Sequence, residues 1–208
     1  MSADRGADGA GPTRPALADE LIGALARRRA TGVRVRAAEA AARAAEQVAS
    51  WGAVRALLAD DPWLDELGLA EELSGAGVEV LRWPAPHQAG GGGGHRARRE
   101  LLGLEGPTPT CGVTVPARAV AERGTLVLES GPAHGRAIDV ASAYHLALLP
   151  AGRIVRSLEE ALLATYAPGR RPPSAVSLVS GPSRTSDIEK ISTLGAHGAL
   201  ALHVLVVE

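Results

Sequence analysis

Two short apolar runs, at 175–179 and 202–207, bracket the segment Ser180-Gly-Pro-Ser-Arg-Thr-Ser-Asp-Ile-Glu189 and the turn Gly195-Ala-His-Gly198. Each run is short for a helix and is bounded by strong breakers, so both read as buried strands. Gly181 frees a backbone angle and Pro182 fixes its own, which stops the first strand abruptly. A short helix is expected to follow, capped by Ser183 or Thr185, with Asp187 and Glu189 in its first turns. Strand, turn, helix, turn, strand is the unit from which parallel sheets with crossover helices are built.

The same alternation runs upstream. Residues 54–59 and 78–83 read as strands around an amphipathic helix at 63–74, and 110–114, 124–129 and 144–149 read as further strands. A helix is expected at 116–122, with Pro116 near its start, and a small extra strand at 154–155. Residues 157–166 read as a helix with Ser157 as cap and Glu160 as its capping-box partner. At the N-terminal side, 17–30 is expected to be helical because Leu17, Leu21, Ile22 and Leu25 share a face. Residues 34–50 are expected to be helical from their Ala, Glu and Arg content. Residues 1–15 read as a disordered leader, which leaves 16–208 as a single domain. The segment 84–94 ends in five glycines and reads as a flexible loop; a short helix with a solvated basic cluster is expected at 95–104. The fold class is therefore α/β, a mostly parallel sheet flanked by helices, with an N-terminal helical segment.

Composition narrows the chemistry. Hydrophobic residues make up 46% but aromatics only 2%, with no Phe, so the core must be built from Ala, Val, Leu and Ile. A net charge of −1 gives no general attraction to nucleic acid or acidic membranes. No apolar run reaches bilayer length and the first residues carry no signal-peptide pattern. A cytoplasmic protein is expected, with no membrane insertion and no nucleic-acid partner. Cys111 is the only cysteine, so the chain holds no internal disulfide and cannot ligate an iron–sulfur cluster by itself. The six histidines are scattered, and no metal site is expected. Nucleophile-elbow, Walker A and dinucleotide-binding motifs are missing, which argues against ordinary hydrolases, NTPases and nicotinamide-dependent dehydrogenases.

Ser183, Arg184 and Thr185 are the leading candidates for a ligand site, together with Gly181 and Asp187 in the same turn. A helix start beyond a strand end, beside a guanidinium, suits a small anionic metabolite, either carboxylate or phosphate. Equally compatible is a purely structural role, in which the hydroxyls cap the helix and Arg184 pairs with Asp187 or Glu189. His197, next to Gly198, has the setting of an acid–base or carboxylate-binding group, or of a structural histidine bonded to a carbonyl. His145 and His203 lie within apolar strands and read as core histidines.

Gly-Pro-Ser-Arg-Thr-Ser-Asp-Ile-Glu, Gly-Ala-His-Gly and Leu-His-Val-Leu-Val-Val together resemble the signature of the lactate-utilisation protein C family, the LUD-domain proteins. Gly112-Val-Thr114 leading to Ala121-Glu-Arg-Gly-Thr-Leu-Val-Leu128 is similar to it, as is Tyr144-His145-Leu-Ala-Leu, so the resemblance spans 111–208. It implies a fold similar to the ribose-5-phosphate isomerase, glucosamine-6-phosphate deaminase and CoA-transferase group. It also implies a part in oxidising L-lactate to pyruvate alongside iron–sulfur partner proteins, with the clusters on those partners and no cofactor in this chain. In that fold group, carboxylates near strand ends do nucleophilic or proton-transfer work. Glu122 becomes a catalytic candidate on that ground, with Gly124 and Thr125 lining the same space; an ordinary helix end is the alternative. An independent isomerase or CoA-transferase-like enzyme using Glu122, and a regulatory binding module without turnover, are the competing functions.

Overall fold

A computed structural model of the protein describes residues 13–83, 110–135, 137–140, 142–186, 192–194 and 198–208. Helix α1 (Arg14–Arg27) buries Leu17, Ala18, Leu21, Ala24 and Leu25, a stripe at spacings of three and four. It begins inside the expected leader, taking positions 14 and 15; residues 1–12 lie outside the described residues. Strand β1 (Thr31–Val35) occupies the first positions of what propensity alone makes a second helix. Pairing overrides propensity here: Val33 and Val35 alternate with Arg34, whose guanidinium bonds Glu208 at 2.8 Å and Asp19 at 3.3 Å. Helix α2 (Ala37–Ser50) follows and buries Ala40, Ala44, Ala45 and Val48.

Strand β2 (Arg55–Leu58) leads to α3 (Pro62–Glu66), α4 (Leu69–Gly75) and β3 (Glu79–Arg82). The single helix expected at 63–74 is split by Gly68, whose φ of 68° is left-handed. With β4 (Thr110–Thr114), β7 (Tyr144–Pro150) and β12 (Ala201–Val207), these strands form a six-stranded sheet in the order β1-β12-β7-β4-β2-β3. Every pairing in it is parallel. A mostly parallel sheet flanked by helices is thus the observed class.

A second sheet, in the order β8-β5-β6-β9, uses β5 (Arg118–Val120), β6 (Thr125–Ser130), β8 (Ile154–Val155) and β9 (Ala175–Val179). Strand β6 runs antiparallel to both β5 and β9. The helix expected at 116–122 is therefore absent. Ala119 and Val120 are buried and paired to β6, and only a single 3₁₀ turn, Ala121–Arg123, remains. Short helices α5 (Ala137–Val140) and α6 (Leu158–Thr165) precede β7 and follow β8. Ser157 caps α6 as expected, accepting from the Glu160 amide at 3.2 Å, while the Glu160 carboxylate reaches back to the Arg156 amide.

The helix expected after Pro182 is replaced by a hairpin, β10 (Arg184–Ser186) paired antiparallel with β11 (Ser192–Leu194). Arg-Thr-Ser and Ser-Thr-Leu are poor in helix formers, and cross-strand pairing wins. Asp187 and Glu189, like the glycine-rich 84–94 loop and 95–104, lie outside the described residues. Among the described residues no helix is long and apolar enough to cross a membrane.

Candidate functional site

The signature turn is fixed from three sides. Behind it is the end of α1: a Cβ on Gly181 would sit 2.7 Å from the Arg28 carbonyl oxygen. Thr125 Oγ1 and Ser180 Oγ share a hydrogen bond of 2.8 Å, and the Ser183 amide donates to the Ala199 carbonyl at 2.8 Å. Gly198 lies against the Ser183 side chain. Gly124 has φ 61°, and a Cβ there would come within 2.7 Å of the α1 backbone at Ala24 and Leu25. Gly124, Thr125, Gly181, Ser183 and Gly198 are thus brought together, and Arg184 and Thr185 continue from them as β10. His197 and Asp187 lie outside the described residues.

The signature turn departs from its expected setting in two ways. Strand β9 belongs to the second sheet, and the Ser183–Ala199 bond holds the turn beside the amino end of β12, not beyond the carboxyl ends of the parallel strands. The Ser183 amide is also spent on Ala199, and no helix begins at Ser183, so the helix-start argument for anion binding is lost. Glu122 sits in the 3₁₀ turn, its carboxylate 3.4 Å from Arg123 and 41% exposed. It borders an open polar hollow with Arg27, Arg28 and Arg123. That is the setting of a surface ion pair, not of an enclosed nucleophile.

A second polar cluster lies between α5 and the parallel sheet. Gly112, in the middle of β4, has no room for a side chain: a Cβ would meet the Ile138 carbonyl oxygen at 2.0 Å and Ser142 Oγ at 2.9 Å. Helix α5 therefore rests directly on the strand. His145 is the register partner of Gly112 on β7, and its Nε2 shares a 2.8 Å hydrogen bond with Thr114 Oγ1. Burial pushes His145 down to about 3, and repulsion from nearby His134 adds to the effect. His134 ends a tight turn with Gly131, and both of its ring nitrogens are buried without a hydrogen bond. Burial holds it down to about 4, against the opposing pull of Asp61. Asp139 Oδ1 is likewise buried and unbonded, and burial pushes that carboxyl up to about 6.

At neutral pH the two neighbouring imidazoles are therefore uncharged, and the buried Asp139 carboxylate is costly to hold. Leu57, Ala59, Trp83 and Ile138 form an apolar cluster beside them, and Gly135 lies so close under the Trp83 ring that a Cβ would be 2.1 Å away. The sequence reading of His145 as a buried core histidine is correct, but it misses His134 and Asp139. The available signal was Gly112, since a glycine inside a strand marks a close backbone approach. The other core histidine, His203, is 7% exposed and bonds Thr31 Oγ1 at 2.6 Å. The Leu200 amide donates to the Ala143 carbonyl at 2.7 Å, so the segment that binds Ser183 also touches the end of the α5 connection. Cys111 is fully buried on the opposite face and is pushed up to about 12 by that burial, which keeps it a thiol. Among the described residues no three His, Cys, Asp or Glu are grouped to hold a metal ion.

Residues 18–207 match the LUD domain family. The chain belongs to the LUD-domain family. It is 32% identical over 152 residues to a "Lactate utilization protein C" of Halalkalibacterium halodurans, covering 72% of this chain and 60% of that protein. Against "Uncharacterized protein YkgG" of Escherichia coli it is 31% identical, covering 83% of this chain and 70% of the relative. The LUD domain also superimposes on the crystal structure of a DUF162 family protein from Deinococcus radiodurans, with a TM-score of 0.63 and 21% identity over 95% of this chain and 99% of that one. At that identity the likeness shows the fold alone.

Proposed function

We propose that this LUD-domain chain works in lactate utilisation in the cytoplasm, binding a small anionic metabolite while iron–sulfur partner proteins carry the electrons of L-lactate oxidation to pyruvate. The observation that carries this reading is the 32% identity over 72% of the chain to a lactate utilization protein C. The chain spans 60% of that relative, so the activity is transferred here as a proposal. Placing the electron carriers on other polypeptides is supported by the single cysteine, buried and protonated. Arg184, directly after the turn held at Gly181 and Ser183, is assigned to the metabolite's carboxylate, because a planar guanidinium matches it bidentately.

Deleting the gene should abolish growth on L-lactate as sole carbon source, spare growth on pyruvate, and be reversed by the wild-type gene. Normal growth of the deletion strain on L-lactate overturns the lactate role. Arg184→Ala in the purified chain should weaken L-lactate binding roughly tenfold or more in a calorimetric titration, since a charge-assisted contact is lost. Unchanged binding removes Arg184 from the site.

A further inference from the structure

Arg27, Arg28 and Arg123 line an open hollow of about 520 Å³ together with Ala24 and Glu122. Three guanidiniums against one carboxylate leave two positive charges that the hollow's own residues do not balance. Arg123 lies 3.4 Å from Glu122, whereas Arg27 and Arg28 have no carboxylate partner among the described residues. The helix end does not need them as caps. The Leu25 carbonyl accepts from the amides of Arg28 and Ala30, and the Ala26 carbonyl accepts from that of Arg29, so the backbone closes α1 by itself. A single cation in the last turn would complement the helix dipole; guanidiniums from two separate elements exceed that need. Arg29 also holds a left-handed φ of 61°, the only described residue other than glycine with a positive one. Glycine would sit there without strain, so a third consecutive arginine is kept at a conformational cost.

The hollow has a fixed frame. Arg28 Nε donates to the Arg123 carbonyl at 2.9 Å, which ties the end of α1 to the 3₁₀ turn. Both terminal nitrogens of Arg28 remain without a partner among the described residues. A Cβ on Gly124 or on Gly181 would come within 2.7 Å of the backbone at the end of α1. The second sheet and the signature turn therefore press directly on the segment that carries Arg27 and Arg28. Ala24 alone brings an apolar side chain, so a ligand here is held by charge and hydrogen bonds, without burial of an aliphatic body. The volume is within the range of small-molecule pockets, roughly 300–1,000 Å³.

We propose that this hollow binds the phosphate group of a small phosphorylated molecule. At neutral pH a phosphate monoester carries about −1.5 to −2 and presents three strong acceptor oxygens, which matches the two unbalanced guanidiniums and their planar forks. A monocarboxylate has one charge and two oxygens and leaves a guanidinium unmatched. Glu122 has a defined part: it holds Arg123 in place and repels the anion, so it sets the affinity lower than the arginines alone would give. The proposal uses no residue assigned to the carboxylate of L-lactate and does not rest on the lactate reading.

The test is calorimetric titration of inorganic phosphate and of inorganic pyrophosphate into the full chain at low ionic strength, with amide NMR to place the site. Both anions should bind, acetate should bind about tenfold more weakly, and the amide resonances of Arg28 and Gly124 should shift. Arg27→Ala should weaken pyrophosphate binding about fivefold or more at an unchanged melting temperature. Arg28→Lys keeps the charge but loses the fork and should also weaken it. Glu122→Gln should tighten binding about threefold, an effect that a purely structural ion pair would not give. Arg43→Ala, on the exposed side of α2, should bind as wild type does. If Arg28→Lys proves unstable, Arg27→Ala and Glu122→Gln decide the matter. The proposal is overturned if neither anion binds, if the two resonances stay in place, if Arg27→Ala binds like wild type, or if Glu122→Gln weakens binding. Equal losses from Arg43→Ala and Arg27→Ala would overturn it by showing that overall charge is responsible. A hexaglutamate peptide that binds as tightly as pyrophosphate would overturn it in favour of an acidic protein segment.

Discussion

On the face of the parallel sheet that meets α2 and α4, Cys111, Val113, Leu146, Leu148 and Leu205 pack against Ala40, Ala44, Val48, Leu69 and Leu73 in one apolar cluster. On the other face, the intervening positions of β4 and the start of β7 are Gly112, Thr114 and His145, covered by α5. The strands are the same; only the side of the pleat differs. Further along, Ala147, Leu149, Val204 and Val206 return that second face to an apolar cluster with Leu17, Leu21 and Leu25. The polar stretch is thus a local exception, not a property of the face. One side gains stability for every methyl group it buries, while the other holds polar atoms that folding alone does not use.

The contrast can be attacked by mutation. Leu146→Ala strikes the apolar face at a fully buried side chain, and should cost about 2–5 kcal/mol. A melting temperature lower by several degrees is the expected readout, at roughly 2–4 °C per kcal/mol for a chain of this size. A melt within one degree of wild type would show that this cluster is not the main source of stability. Gly112→Ala strikes the opposite side of the same layer of strands. Its methyl would meet the Ile138 carbonyl, a backbone atom that cannot rotate away, so about 1–3 kcal/mol should be lost. The His145 ring resonances should move as α5 is displaced; unmoved resonances would mean that α5 does not rest on Gly112. The smallest effect is expected outside both faces. Arg43 and Glu46 pair at 3.0 Å on the exposed side of α2, and Arg43→Ala should cost less than about 0.5 kcal/mol in chemical denaturation. A larger loss would mean that surface charge, not the two faces, governs stability.

Much of the parallel sheet was legible because its strands are short apolar runs closed by breakers: β2, β3, β4, β7 and β12 each have that form. Three elements were not. Strand β1 ends where an Ala-rich, helix-favouring run begins, β5 follows a proline that reads as a helix start, and β10 lies where hydroxyl residues read as a cap. In all three, strand pairing decides the conformation, with a partner far away in sequence for β1 and a nearby one for β5 and β10, and the propensity of the segment alone does not contain it. The site divides in the same way. Thr125 could be grouped with the signature turn from its motif, and its hydroxyl does meet Ser180. Gly112 marks a close backbone approach, but that the covering segment is the one carrying His134 and Asp139 is supplied only by the topology.

Strand β12 lies between β1 and β7, so the edge strand β1 joins the sheet through a late part of the chain. Thr31 and the His203 it bonds are 172 positions apart. During synthesis, at about 5–20 residues per second, β1 waits roughly ten to thirty seconds for the neighbour it is shaped to meet. Throughout that interval it presents an open row of amides and carbonyls to any other nascent strand. An arginine in the strand is a good guard against such mispairing, because its charge makes promiscuous stacking expensive until Glu208 arrives to join Asp19 in receiving it. The residue that disguises β1 as a helix in the sequence is thus also the one that protects it while it waits.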